Sequence, residues 1–356
     1  MNALITIKHS DFFKLCLRAF EHARIPLRNF YRSKKMYNNF VHVFLLVLKQ
    51  RTGMSYRKLS AFAEEMGLQR MLCIKRIPHF TTMQKAMQRL SKSLLEKMVK
   101  ACHSLLDMKG MLVGIDGTGF SNTNPSHYYI KRIDGVKVKN FTKTVLIADL
   151  ESKLVLGLKT HSDYSSETLD FIPLVKELKH TLKCVLADKG YDSKKNREYC
   201  WENGIENHTP VRKHKSEELL YGRKLVYKSS HRRKAVKLFD EDKYKRRALI
   251  ESVNSAIKRS LGSWVCSRKP VNQQKEVTIK ILAYNLEIMG RKITSIIIYI
   301  QTAILHRLAG MQKFNFLILY NNRRSFSAKY SLVWLILMKR FKYNEGCNII
   351  GGLIGC

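Results

Sequence analysis

Acidic residues are scarce in this chain: Asp and Glu number 28 against 65 Lys and Arg, a formal charge of +37. That imbalance excludes a charge-neutral surface. Because it runs over most of the length, it calls for a polyanionic partner, of which phosphate backbone is the commonest; a ribosome-associated or merely solubilising basic surface is the blander account. Zinc-type cysteine spacing is also missing. Cys16, Cys73, Cys102, Cys184, Cys200, Cys266, Cys347 and Cys356 include no C-x-x-C pair, and read as reduced, mostly buried thiols of a cytoplasmic protein. No leader is visible, since Lys8, His9 and Asp11 precede any sustained apolar run. Long hydrophobic runs are lacking too: 40–48 is too short for a span, and 293–308 is interrupted by Gln301, His306 and Arg307, so no membrane helix is expected. What remains, 356 residues with 45% hydrophobic, suffices for a substantial core and two domains, which excludes a disordered chain.

Residues 1–107 read as wholly helical, with apolar residues at helical spacing in 12–23, 37–48, 56–66 and 83–106. Thr81 and Gln84 stand at capping-box spacing before the last, and Gly67 is placed to stop the third. With Arg57, Lys58, Arg70, Lys75 and Arg76 nearby, these short helices fit a helix-turn-helix reading a DNA end. A dimerisation or scaffold domain with a solvated basic face fits them equally.

At Met111 the period changes. The run Met111-Leu112-Val113-Gly114-Ile115 predicts a strand buried on both faces, ending at Asp116 in a Gly-rich loop. Strands follow at 127–133, 143–148 and 154–158, with Asp134-Gly135 and Asp149 to Ser152 as turns, so Asp134 and Asp149 read as turn residues. An amphipathic helix is expected over 167–182, with Phe171, Ile172, Val175, Leu178 and Leu182 inward and Pro173 tolerable only in its first turn. Then Cys184-Val185-Leu186-Ala187 repeats the first pattern and ends in Asp188-Lys189-Gly190-Tyr191-Asp192. In an open sheet chemistry gathers where strands end, which sets Asp116 beside Asp188. A helix over 193–203, closed by Gly204, and a strand near 205–211 complete an α/β pattern.

Residues 212–243 are a basic insertion in which Arg212, Lys213, Lys215, Arg223, Lys224 and Arg232 to Lys234 interleave with Tyr221 and Tyr227. It fits a segment that tracks phosphates and stacks on bases, or a disordered charged loop. His208 and His214 do not read as a metal pair, because no third ligand completes a zinc spacing. From Tyr244 a helix is expected with Tyr244, Arg247, Glu251, Asn254 and Lys258 on one face and Leu249, Ile250, Val253 and Ile257 on another. Asp192 reads as no more than a turn or cap.

Asp116, Asp188 and Glu251 brought together would repel unless a cation neutralised them. All-oxygen ligands favour Mg²⁺ or Mn²⁺ over zinc. Two such ions about 4 Å apart activate a water or hydroxyl and stabilise the leaving oxygen of a phosphodiester. Tyr244, Arg247, Glu251 and Lys258, with gaps of two, three and six residues, resemble the Y-R-E-K signature of insertion-sequence transposases of the DDE class. Asp188 to Asp192 resembles their second-acid motif, and Ile115-Asp116-Gly117-Thr118 their first; the resemblance spans residues 37–290.

The resemblance implies a ribonuclease-H-like mixed sheet flanked by helices behind an all-α N-terminal domain. It divides the chain into 1–107 for DNA-end binding or dimerisation, 108–292 as the catalytic domain carrying the insertion, and 293–356 as an extension. It makes Asp116, Asp188 and Glu251 catalytic and metal-holding, with Mg²⁺ or Mn²⁺, two ions, as cofactor and no other cofactor. Tyr244, Arg247 and Lys258 become DNA-binding. The implied partner is double-stranded DNA, both element ends and target, gripped by a homodimer or larger complex in the nucleoid, with no membrane involved. Cut-and-paste transposition follows; the alternatives are an inactive transposase-derived DNA binder and a nuclease without strand transfer. The tail departs from the family pattern: apolar patches at 296–300 and 332–338 alternate with Arg323-Arg324 before Gly351 to Cys356, and no motif emerges.

Overall fold

The apolar runs of the middle third build one sheet. A computed structural model describes residues 9–29, 36–106, 108–122, 141–162, 165–212, 218–221 and 224–308. The strand expected at 127–133, the turn at Asp134, Lys213, His214, Lys215, Arg223, Cys347, Cys356 and the tail patches beyond 308 lie outside them. Strands β1 (Met111–Ser121), β2 (Phe141–Asp149) and β3 (Val155–His161) form an antiparallel meander, while β4 (Leu182–Ala187) and β5 (Glu206–His208) continue the sheet in parallel. The order β3-β2-β1-β4-β5 is the ribonuclease-H-like mixed sheet. Val113, Ile115, Val185 and Ala187 are fully buried, as central strands covered on both faces require. Asp149 is the turn residue expected, its Oδ2 accepting the Ser152 N–H at 2.6 Å.

Helices cover the sheet. The N-terminal set is α1 (His9–His22), α2 (Asn39–Thr52), α3 (Tyr56–Glu65), α4 (Leu68–Met71), α5 (Phe80–Arg89) and α6 (Lys92–Ser104). The single helix expected over 83–106 is therefore two. Leu90 turns to an extended conformation, and Ser91 restarts the helix by accepting the Leu94 N–H at 3.2 Å. The Thr81–Gln84 capping box is not used, because α5 already begins at Phe80 and the Thr81 hydroxyl faces His79 Nδ1 at 2.9 Å. Gly67, with φ +63°, does follow the third helix.

Between the strands lie α7 (Thr168–Lys176) and α8 (Lys194–Glu202), followed by the hairpin β6 (Glu218–Tyr221) and β7 (Lys224–Tyr227), then α9 (Ser230–Leu238), α10 (Glu241–Lys245), α11 (Ala248–Leu261) and α12 (Pro270–Leu308). The helix expected to reach Leu182 stops at Lys176. Turns at Leu178 and Thr181 follow, and Leu182 opens β4. Pro173 lies inside α7 rather than in its first turn; the carbonyl it leaves without a donor is that of Leu169, an exposed residue.

Helix α12 runs on through residue 292 and packs against α1, α2 and α6 as well as β2 and β3. Phe12, Phe44, Leu95, Leu282, Ile147 and Val185 thus belong to one core. Asn285 fixes the helix to β3 by accepting from the Val155 N–H at 3.0 Å and donating to its carbonyl at 2.7 Å. Among the described residues no helix is long and apolar enough to cross a membrane. Cys16, Cys102, Cys184 and Cys200 are buried free thiols, whereas Cys73 and Cys266 are exposed.

Candidate active site

The parallel register of β1 and β4 pairs Ile115 with Ala187, so Asp116 and Asp188 each follow the last paired residue of two neighbouring strands. Asp188 leaves the sheet there; Asp116 does not. The antiparallel partner β2 holds β1 in register from Asp116, opposite Leu146, to Ser121, opposite Phe141. Gly117-Thr118-Gly119, expected as a loop, is strand. β1 loses its parallel neighbour at Asp116 and keeps the other, which opens one side of the acid while the backbone stays rigid.

The helix expected from Tyr244 is broken. Asp240 caps α10 by accepting the Lys243 N–H at 3.0 Å. The bonds from Arg247 N to Tyr244 O, Leu249 N to Arg246 O and Ile250 N to Arg247 O then tighten the chain into a turn before α11 begins. The expected face survives the break. The Arg247 guanidinium lies 5.9 Å from the Tyr244 ring and donates to Glu251 Oε1 at 2.7 Å. Ile250, Val253 and Ile257 are buried beneath, which fixes the rotation of α11 and turns the polar side toward Asp116.

Asp116, Glu251, Asn254 and Lys258 line one cleft of about 470 Å³. Asn254 Nδ2 donates to Asp116 Oδ2 at 2.8 Å, and Lys258 Nζ stands 5.7 Å from the Phe120 ring. Asp188 does not line that cleft; its charge acts on Tyr244 and Arg247 at the rim. Arg247 links the two parts, since it also opposes the rise in the Asp116 pKa. Burial pushes the Asp116 carboxyl up to about 6, against the pull of Arg247 and the Asn254 hydrogen bond. Burial lowers Lys258, with Asp116 opposing, and raises Tyr244.

These groups fit a hard divalent cation. The donors are oxygens, two carboxylates line the cleft, and burial of Asp116 outweighs the pull of Arg247 and Asn254 on its proton. Asn254, 6% exposed, also leaves its Oδ1 with no hydrogen-bond partner among the described residues. A second group, Cys184, Glu206 and His208, brings its ligand atoms within 4.8 Å of one another. It does not fit a metal. His208 Nδ1 accepts the Asp240 N–H at 3.1 Å, which assigns the ring proton to Nε2, facing Glu206 at 3.4 Å. Glu206 is in turn bound by Lys243 Nζ at 2.6 Å, and burial pushes the Cys184 thiol up to about 12. The cluster pins β5 to the start of α10, in keeping with the absence of a zinc spacing.

The profile of the Transposase DDE domain family matches residues 109–286, half the chain, from the start of the sheet into α12. This chain is a member of the DDE-domain transposases. Comparison with curated proteins gives no match. Among solved structures, the transposase is similar to the piggyBac transposase synaptic complex with hairpin DNA at 11% identity and TM-score 0.40, covering 80% of this chain and 73% of that one. It is also similar to the pre-cleavage Mos1 transpososome at 10% identity and TM-score 0.20, covering 74% and 81%. The strand order, not these loose likenesses, carries the fold.

Several contacts around the transposase's candidate site gave no sequence signal of their own. Glu167, read only as the start of a helix, immediately precedes α7 and bonds Lys143 of β2 and Tyr191. Asp192 is more than a turn or cap: Arg197 donates to its Oδ1 through Nε at 2.9 Å and Nη2 at 2.8 Å, and the Arg212 N–H reaches its Oδ2 at 2.7 Å. The described arginines at the insertion's root hold main chain. Arg212 donates to the Lys189 and Gly190 carbonyls, Arg232 to that of Arg212, and Arg233 to those of Tyr227 and Lys228. Partners of this kind leave no spacing pattern, because most of their contacts are made across the fold.

Proposed function

We propose that this transposase cuts DNA at the ends of an insertion element by phosphodiester hydrolysis and joins the freed 3′-hydroxyl to target DNA. In this reading Asp116, Asp188 and Glu251 hold two Mg²⁺ or Mn²⁺ ions. The observation that supports it is that Asp116 and Asp188 each follow the last paired residue of β1 and β4, while Glu251 of α11 lines the cleft beside Asp116. Bound there, divalent cations supply an activated water or hydroxyl and neutralise the leaving oxygen.

The protein's own groups bind and orient the strand. Turning Glu251 toward the acids releases Arg247 from its ion pair, and its fork then takes a phosphate in bidentate fashion over the Tyr244 ring. Lys258, further along the same face of α11, takes a neighbouring phosphate. The charge of +37 supplies the general attraction to duplex DNA. Helices α3 to α5, with Arg57, Lys58, Arg70, Lys75 and Arg76, serve end binding or dimerisation, and holding two ends at once requires at least two copies on DNA in the nucleoid.

One observation favours a second reading, a DNA-binding protein that no longer cuts: Glu251 is already satisfied by Arg247 on its own helix. Nicking of a duplex carrying the element's own end, by the full chain in Mg²⁺, separates the two. The expected result is that Glu251→Gln slows nicking roughly a hundredfold or more, the loss typical when stabilisation of reacting charge is removed, while DNA binding persists. Equal nicking by the variant sinks the assignment. Joined donor and target products exclude a nuclease without strand transfer.

A further inference from the structure

Among the described residues, Glu167 is a carboxylate whose charge acts on Asp116 and which the three-acid reading leaves without a role. It comes from the far side of the sheet's open end, directly before α7, and its carboxylate lies on the backbone of Gly117, the residue after Asp116. A Cβ at Gly117 would collide with it, so glycine is needed there for close approach, not for a turn. Two groups aim the carboxylate. Lys143 Nζ, which also donates to the Ser165 carbonyl at 2.8 Å, holds Oε1 at 3.0 Å, and the buried Tyr191 hydroxyl donates to Oε2 at 3.0 Å. The Thr168 hydroxyl donates to the Gly190 carbonyl at 3.0 Å. Glu167 therefore lies against the residue after one acid and is bonded to Tyr191 of the loop that follows the other.

The geometry points to Glu167 as a fourth carboxylate of this centre, a ligand shared with Asp116 for a divalent cation. The inference rests on the reading of Asp116, Asp188 and Glu251 as cation holders and extends it. An anchor for α7 would need neither contact with the strand at Gly117 nor open solvent, yet the Glu167 side chain is 33% exposed. Two donors occupy two of the roughly four lone-pair sites of a carboxylate, which leaves acceptor capacity for an ion. Asn254, which donates to Asp116 Oδ2 and among the described residues leaves its own buried Oδ1 without a partner, is a second and independent polar group at the same acid.

The test is Mn²⁺ alone titrated into the full chain, with free ion followed by electron paramagnetic resonance and folding by circular dichroism. Glu167→Gln keeps the shape and can still accept from Tyr191. It is expected to weaken Mn²⁺ binding about tenfold or more, the scale of losing a group that holds or orients a ligand, with an unchanged dichroism spectrum. Asp188→Asn runs beside it. If Asp188→Asn weakens binding and Glu167→Gln does not, the fourth-ligand proposal alone is overturned; if the wild type takes up no Mn²⁺, or neither variant weakens it, both readings fall. Should Glu167→Gln not fold, Gly117→Ala, which displaces the carboxylate without removing a ligand, is expected to show the same weakening. Wild-type affinity in that variant overturns the proposal.

Discussion

Two arginine–carboxylate pairs near the sheet's open end share one chemistry and differ in almost everything else. Arg197 and Asp192 are 2% and 3% exposed, bonded through two nitrogens, with the Arg212 N–H completing the carboxylate and the Thr209 carbonyl taking the arginine. Arg247 and Glu251 are 21% and 57% exposed and meet through one nitrogen across a helical turn. The first pair is closed: desolvation makes either partner costly to expose alone. The second is open, worth a few tenths of a kcal/mol as a spacing on a helix surface, and exchanges its partner cheaply. The closed pair holds the root of the insertion to the loop after Asp188; the open pair leaves Glu251 available.

The largest effect expected from this contrast belongs to the closed pair. Arg197→Met takes from the buried Asp192 its bidentate partner, leaving only the Arg212 N–H and Arg232 at 3.9 Å, and is expected to lower stability by about 3 kcal/mol, the lower end for a broken buried pair, read from the urea midpoint and slope. A loss below about 1 kcal/mol would show that the insertion's root does not depend on the pair, and the contrast would collapse.

The open pair was legible in the sequence and the closed one was not. Glu251 stands four residues from Arg247 on a periodic helix, so spacing alone predicts the contact. Asp192 meets Arg197 only because the chain turns through residues 189–193 and α8 carries the arginine back, and the Arg212 N–H arrives from beyond β5. The same division runs through the fold. Apolar runs announced β1 and β4 and the acids that end their pairing. The continuation of β1 past Asp116 depends on β2, whose register no local pattern records. The glycines at 117 and 119, read as loop, are strand positions where Glu167 and Phe141 approach closely. Glu167 was hidden for that reason: its neighbours lie on β1, β2 and the loop after β4, and each of those contacts is long-range.

Asp116 lies between the two extremes, and pH sharpens its place. Its folded carboxyl titrates near 6, against 3.8 ordinarily, so the folded state holds the proton more tightly than the unfolded one. The stability this contributes is full below about pH 4 and is lost as pH rises toward 6. Asp116→Asn removes the dependence. The variant is expected to match the wild type at pH 4 and to exceed it at pH 7, in the absence of metal, by on the order of 1 kcal/mol once screening of a partly exposed group is allowed for. Thermal midpoints of both proteins across that range check it. A wild type that does not fall behind would mean that Arg247 and Asn254 already compensate the buried charge.

The smallest expected change in stability is at Arg247. Arg247→Gln leaves Glu251 in water, and because the pair spans one exposed turn the urea midpoint should move by no more than about 0.5 kcal/mol of stability. Binding to DNA should respond more. If the arginine exchanges Glu251 for a phosphate, its loss weakens affinity for all sequences alike and lowers the slope of log affinity against log salt by about one. The two measurements bear on the contrast from both sides. A stability loss of about 2 kcal/mol or more would place Arg247 with Arg197 as a structural cation, and an unchanged salt slope would leave the open pair with no partner to exchange. A small first effect with a clear second is what distinguishes a pair kept for release from one kept for the fold.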